Sequence, residues 1–85
     1  MRLDKYLKLT RLIKRREVAK VLIEEGSIIV NAKKIKPSYE VKLNDEIQLT
    51  LGSRIIVIKV IRLDEIVNKK TSKELYLILS DSINR

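Results

Sequence analysis

The sequence has neither cysteine nor histidine, and only two glycines and one proline among its 85 residues. Without cysteine or histidine it has no disulfides, no thiol chemistry, none of the usual zinc ligands and no histidine-based catalysis. Gly26 and Gly52 stand too far apart to form a glycine-rich phosphate loop. Adjacent carboxylates occur, but not in a motif typical of a catalytic pair. We therefore expect a binding protein without a cofactor or metal, and not an enzyme.

Aromatic residues are also scarce, with three tyrosines and neither phenylalanine nor tryptophan. Proteins that bind single-stranded nucleic acids usually stack the bases on aromatic side chains. Tyr6 falls on an apolar helical stripe and is expected in the core, whereas Tyr39 could serve either purpose. Recognition of a folded RNA or a duplex through shape and phosphate contacts therefore fits this composition better than base stacking.

Long hydrophobic runs are absent. The longest aliphatic run, Ile55–Ile58, is far too short to span a bilayer, and charged residues directly after Met1 leave no apolar signal segment. Hydrophobic residues make up 45% of the chain and charged residues 35%, as in ordinary globular domains. We expect one soluble, cytoplasmic domain that has no membrane partner and is monomeric when it is free.

Acidic residues are few in the first half of the chain. Residues 1–42 hold twelve Lys/Arg and five Asp/Glu, a balance of +7, and residues 43–85 hold seven and six, a balance of +1. These add to the net charge of +8. Asp4 is the one acid among seven basic residues between Arg2 and Arg16. Because clustered like charges repel, this pattern predicts a polyanionic partner, and nucleic acid is the one it favours.

Hydrophobic periodicity predicts two helices, over about 3–10 and 15–25. Their apolar stripes are Leu3, Tyr6, Leu7 and Thr10 in the first helix, and Val18, Ala19, Leu22 and Ile23 in the second. Gly26 is placed to end the second helix. Glu24 and Glu25 lie at the negative end of its dipole, which is mildly unfavourable, and we expect them to be exposed to solvent.

A period of two follows the helices and predicts about five short strands. They are residues 27–31, 33–36, 46–51, 54–63 and 75–79. The first two form a hairpin with a turn at Asn31-Ala32, the fourth is central because it is apolar on both faces, and 64–74 is a polar connection. The predicted fold class is α+β, with a small, mainly antiparallel sheet. Two close helices with a basic joint also allow a helix-turn-helix DNA regulator, although so many strands make this less suitable.

The motifs in the first half resemble the S4 (S-four) RNA-binding domain, named for small-subunit ribosomal protein four. The resemblance covers residues 1–47 and comprises "RLDKYL", Arg11, "KRREVAKVLIEEGSIIVN", "KKIKPS" and "NDEI", in that order. It implies an S4-type motif over 1–47 followed by a β extension over 48–85.

Three positions depart from the common S4 pattern. Arg15-Arg16 stands where Ser-Arg is usual, Asn31-Ala32 replaces Asn-Gly, and Asn44-Asp45 replaces Gly-Asp. The short chain and its Arg-Arg pair are similar to the bacterial RqcP (YabO) family, whose relatives include the heat-shock protein of fifteen kilodaltons. This similarity implies a factor of ribosome-associated quality control. It would bind large-subunit rRNA and peptidyl-tRNA after a stalled ribosome splits, and would assist an RqcH-type factor in alanine tailing.

The resemblance implies that the two helices form the RNA face, that the basic joint between them lies along phosphates, and that hairpin lysines add to the contacts. The RNA contacts implied for this chain are Arg2, Lys5, Arg11, Lys14, Arg15, Arg16, Lys20, Lys33, Lys34 and Lys36. Arg2 and Arg16 are the strongest candidates, because guanidinium groups bind phosphate in a bidentate manner. We expect Asp4 to cap the first helix or to pair with a neighbouring arginine, as structural support for the site.

Two other functions remain open. A heat-shock-type recycling factor would also bind obstructed large subunits, but without depending on a tailing partner. S4 domains also precede RNA-modifying catalytic domains, so an enzyme would require a chain that continues beyond Arg85.

Overall fold

The computed structural model describes residues 1–83, which form two helices followed by a four-stranded antiparallel sheet. The elements are α1 (Leu3–Leu9), α2 (Arg16–Glu24), β1 (Ile28–Val30), β2 (Glu46–Leu51), β3 (Arg54–Val60) and β4 (Tyr76–Ile83), with a 3-10 turn at Thr71–Leu75 before β4. The strands lie in the order β1-β2-β3-β4. The predicted α+β class is confirmed, and the fourth predicted strand, now β3, is flanked on both sides.

The prediction of a fifth strand over 33–36 is wrong. Beyond the turn, Val30 and Lys33 exchange one pair of backbone hydrogen bonds, at 3.0 and 2.9 Å, and the chain then leaves the sheet. Pro37, which has no N–H to give a ladder, directs its carbonyl to the Asp4 N–H at 3.2 Å. The segment after the hairpin turn thus covers the start of α1 instead of extending the sheet.

The core lies between the two helices and one face of the sheet. The predicted α1 stripe is confirmed, since all four of its residues are buried. In α2 the prediction holds for Ala19 and Ile23, but Val18 is 47% exposed. Among the helices and strands, this nine-residue helix packs mainly on α1 and β1, so its buried stripe is narrower than the periodicity predicts.

Tyr6 is a core residue, as predicted. Its side chain is fully buried, and its hydroxyl donates a 2.7 Å hydrogen bond to the Leu75 carbonyl. Burial, and to a smaller extent the nearby Tyr76, raise the pKa of the Tyr6 hydroxyl. This bond ties α1 to the chain immediately before β4.

No helix in the described range 1–83 combines the length and apolar character needed to cross a membrane.

The two positions that lack the usual glycine keep the backbone that glycine would adopt. Ala32 has a φ of +63° and Asn44 a φ of +73°, both in the left-handed region. The Asn31 side chain braces the first turn, because its Oδ1 accepts the Glu46 N–H at 2.9 Å and its Nδ2 donates to the Asp45 carboxylate at 3.0 Å. Alanine holds this conformation only at an energetic cost, because its Cβ crowds the following carbonyl.

We expect Ala32→Gly to raise the free energy of unfolding by about 0.5–1 kcal/mol, because it removes this steric cost at an exposed turn. Urea denaturation of the two proteins measures the change. Ala19→Gly is the contrasting control, since Ala19 is buried inside α2 and its replacement should destabilise the protein. Equal or lower stability of Ala32→Gly would contradict the role assigned to the turn.

Candidate RNA-binding interface

The Asp4 carboxylate organises the basic surface at the start of α1. Asp4 is fully buried, and its Oδ1 accepts the Lys5 backbone N–H at 2.8 Å, one of the free donors of the first helical turn. The Arg2 guanidinium donates to both carboxylate oxygens, from Nε at 3.2 Å and from Nη2 at 3.1 Å. Asp4 therefore fixes Arg2 from within the helix that follows it.

Arg16 reaches the same carboxylate from α2. Its Nη2 lies 3.3 Å from Asp4 Oδ1, whereas its Nε is buried without a hydrogen-bond partner. One carboxylate thus holds two arginines from separate elements, which is the pairing expected for Asp4. The Arg2 and Arg16 side chains remain 45% and 37% exposed, so each guanidinium can still meet a phosphate.

The arginines keep Asp4 ionised despite its burial. Desolvation, the largest single influence, acts to raise the pKa of the Asp4 carboxyl. Hydrogen bonds from Arg16, Arg2 and the Lys5 backbone together outweigh it and hold this pKa below the ordinary value of 3.8. At neutral pH the site therefore contains two guanidinium groups held by one buried negative charge.

Backbone contacts bring the post-hairpin segment beside this cluster. The Leu3 N–H donates to the Tyr39 carbonyl at 2.8 Å, and Arg2 forms an isolated β-bridge with Glu40. Tyr39 itself is anchored through its hydroxyl, which donates to the buried Asp45 carboxylate at 2.8 Å. These contacts place the lysines of the segment next to Arg2.

A first basic cleft, of about 540 Å³, lies between α2 and residues 34–38. Its cationic lining residues are Arg2, Lys20, Lys34 and Lys36. Glu24 is the one acidic residue that lines it. The structure thus gathers four of the predicted RNA contacts, which are far apart in the sequence, around one concave surface.

A second basic cleft, of about 510 Å³, follows the end of α1 and is lined by Lys8, Leu9, Arg11, Lys14 and Val67. Arg11 has a φ of +62°, a conformation that costs a residue with a Cβ roughly 1–2 kcal/mol. Such strain is concentrated at functional sites. Two predicted contacts, Arg11 and Lys14, therefore lie together, but in a different cleft from Arg2.

The other predicted contacts lie apart from the clefts. Lys5 is paired with Glu65, with 2.9 Å between Nζ and Oε1, and this hydrogen bond lowers the pKa of the Glu65 carboxyl. A phosphate at Lys5 would have to compete with that carboxylate. Arg15 immediately precedes α2 and is exposed, and Lys33 is exposed at the hairpin turn.

Sequence reasoning missed Lys8, Glu24 and Ser38 as lining residues of the clefts. Helical spacing gave no signal for Lys8, because α1 ends at Leu9 and Arg11 has a left-handed backbone beyond it. Glu24 and Ser38 become neighbours only through the path of the chain after the hairpin. In the described range no group of three or more acidic residues is arranged to hold a metal ion.

We expect Asp4→Asn to lower the free energy of unfolding at pH 7 by about 1–3 kcal/mol, because it weakens hydrogen bonds to two arginines. The folded pKa of Asp4 is depressed, so its stabilisation is complete above about pH 4 and is lost as the pH falls through the folded pKa. Urea denaturation over a pH series tests both points. The variant should lack this component of acid destabilisation.

The matched control for that measurement is Asp64→Asn. Asp64 also pairs with an arginine, Arg62, at 2.6 Å, but its side chain is 40% exposed. Its loss should change stability by less than about 1 kcal/mol. Equal effects of the two substitutions would contradict the central position of Asp4.

Comparison with known proteins finds a matching family model, named relatives and a solved structure. The S4 domain model matches residues 1–47. A protein of Listeria innocua named RQC P-site tRNA stabilizing factor is 48% identical over 81 residues, which cover 95% of this chain and 88% of that protein. A protein of the same name from Streptococcus pneumoniae is 39% identical and covers 96% and 93%.

The fold has a solved counterpart, a trimeric structure of Heat Shock Protein 15 from Vibrio cholerae. It superposes with a TM-score of 0.88 at 27% identity and covers 94% of this chain and 82% of the other. At 94% of this chain, the agreement extends well beyond residues 1–47, which the family model matches. The chain belongs to the S4 domain family and, within it, to the group whose members are named RQC P-site tRNA stabilizing factor.

Proposed function

We propose that this protein is a non-enzymatic, cytoplasmic RNA-binding factor of ribosome-associated quality control. It binds rRNA and peptidyl-tRNA on obstructed large ribosomal subunits and stabilises the tRNA in the P site. The observation that carries this proposal is the set of two basic clefts, one of them lined by Arg2, together with the two arginines that Asp4 holds. The name shared by the close relatives supports the choice of partner.

The site acts by positioning and needs no chemical step. Folding keeps like charges in place before RNA arrives, so binding orders few side chains and releases counterions from the phosphates. Two separate clefts can each contact the phosphate backbone of a different strand, such as one strand of rRNA and one of tRNA. Residues 1–47 supply nearly all of this surface, and we propose that residues 48–85 form the β extension that supports it.

The finer parts of the proposal concern the other partners. By retaining peptidyl-tRNA, the protein would assist an RqcH-type factor that adds C-terminal alanine to the nascent chain.

We propose that the 9.9 kDa chain is a monomer off the ribosome, since the copies would repel one another with a charge of +8. Sedimentation equilibrium distinguishes this state from the trimer found for the Vibrio cholerae protein.

A heat-shock-type recycling factor is the second candidate. It is favoured by the structural agreement with Heat Shock Protein 15, which includes the β extension. Such a factor would bind the same subunits without any effect on tailing. Alanine tailing in a reconstituted system, with and without this protein, separates the two functions.

We expect Arg15→Glu to weaken binding to large-subunit rRNA by at least about tenfold, because it replaces an exposed cation of the RNA face. Arg15 precedes α2, where a carboxylate is compatible with the helix dipole, so the fold should be retained. The corresponding substitution Arg16→Glu is less informative, because it would place a second carboxylate beside the buried Asp4. Filter binding at several salt concentrations gives the affinity and its salt dependence.

The matched control is Lys73→Glu, which makes the same charge change at an exposed lysine of the 3-10 turn that lines neither cleft. It should bind nearly as well as the unmodified protein. With about five to seven phosphates contacted, affinity should fall on the order of a hundredfold or more between about 50 and 200 mM salt. Equal losses in both variants would contradict the assigned face.

We expect large subunits that carry peptidyl-tRNA to capture more protein than empty subunits, because only the former offer both nucleic acids. Co-sedimentation with purified subunits, in the presence of competitor duplex DNA, measures the difference. Equal capture by the two forms would favour a general ribosome-binding factor. Retention on the DNA would contradict ribosomal binding altogether.

A further inference from the structure

Glu24 has no role in the interface described so far. It is the only carboxylate lining the first basic cleft, and it is exposed at the last residue of α2, where the helix dipole disfavours negative charge. Across residues 1–83, no lysine or arginine nitrogen lies within ion-pair distance of it. A free hydrogen-bond acceptor therefore stands in an otherwise cationic cleft.

The cleft has two kinds of surface. Lys20 lies one helical turn before Glu24 on the same face of α2, and the aliphatic part of Lys34 lies beside Gly26, 3.9 Å from where a Cβ would stand. The half-buried residues Ile35 and Pro37 also line the cleft and add apolar area to it. Its volume of about 540 Å³ is typical of sites for small organic groups.

We propose that this cleft receives one unpaired nucleotide of the bound RNA and that Glu24 reads its base. The base packs on Ile35 and Pro37, Lys20 and Lys34 face its phosphates, and Glu24 accepts hydrogen bonds from the base edge. This inference rests on the proposed RNA-binding function and adds a preference for the nucleotide bound.

The chemistry of Glu24 sets that preference. An ionised carboxylate only accepts hydrogen bonds, and it has two oxygens to do so. Guanine presents an imino and an amino donor side by side, so it can satisfy both oxygens. Uracil presents one N–H between two carbonyl oxygens, which the carboxylate repels. The cleft should therefore prefer an unpaired guanosine to an unpaired uridine, with cytidine and adenosine, which each offer one amino group, between them.

The test uses four hairpin RNAs that are identical except for a single bulged G, C, A or U. The unmodified protein should bind the bulged-G hairpin about five- to twentyfold more tightly than the bulged-U hairpin. Glu24→Gln should bring these two affinities within about twofold, because the amide also donates to a uracil carbonyl. Fluorescence anisotropy at constant ionic strength measures all the affinities.

The matched control is Glu17→Gln, which removes the same charge from the first turn of α2, outside the cleft. It should retain the G-over-U preference and bind all four hairpins slightly more tightly, because a repulsive charge is lost outside the cleft. Equal binding of all four hairpins by the unmodified protein, or a preference retained in Glu24→Gln, would overturn the proposal.

A competition experiment with free guanosine monophosphate tests whether the cleft binds a nucleotide of an RNA or a free nucleotide. Displacement of the hairpin by micromolar amounts of it would overturn the assignment to an RNA nucleotide and favour a site for free nucleotides. If RNA binding still depends on Arg15 but no base preference exists, only the inference about the cleft fails. If none of the hairpins and no rRNA binds, the proposed function fails with it.

Discussion

The buried Asp4 carboxylate is the contact on which the basic face depends. Arg2 precedes α1 and Arg16 begins α2, so two guanidiniums from separate elements would repel each other without a negative charge between them. Asp4 offsets that repulsion and leaves both arginine side chains partly exposed. The same carboxylate binds an N–H of the first helical turn, so the helix start and the charge cluster are stabilised together. A site built in this way is ordered before its polyanionic partner arrives.

The two halves of the chain differ in how their cations are used. In the second half, Arg54 makes two hydrogen bonds to Asp81, at 2.9 and 2.6 Å, and Arg62 pairs with Asp64 and Glu74. Those charges are neutralised locally in the β extension. Within the described residues 1–83, the cations of the two clefts other than Arg2 have no ion-pair partner. The unpaired cations that line the clefts thus offer positive charge that RNA phosphates can neutralise.

Much of the fold could be predicted, because apolar periodicity reports directly which side chains are buried. The α1 stripe and the alternation in β2 and β3 correspond to the core that the structure shows. The fifth strand could not be rejected in this way, since 33–36 has a suitable local pattern. The chain directly after it is instead held at α1, where the Pro37 carbonyl accepts the Asp4 N–H, and no local pattern encodes that contact. The predicted burial of Val18 is wrong for a related reason, because the width of a buried stripe depends on how many elements pack against the helix.

By itself the sequence determined the α+β class, the crowded basic residues of the first half, and the dependence of that cluster on its single acid, because charge and periodicity are local properties. Only the tertiary structure decided which cations line each of the two clefts. Arg2 joins Lys20, Lys34 and Lys36 in one cleft, and Arg11 and Lys14 form another, while Lys5 is paired with Glu65. It also decided that Glu24, an exposed acid at a helix end, stands among four cations. These neighbours come from separate segments, and their distances depend on the path of the backbone, which hydrogen bonds between α1 and residues 37–40 impose.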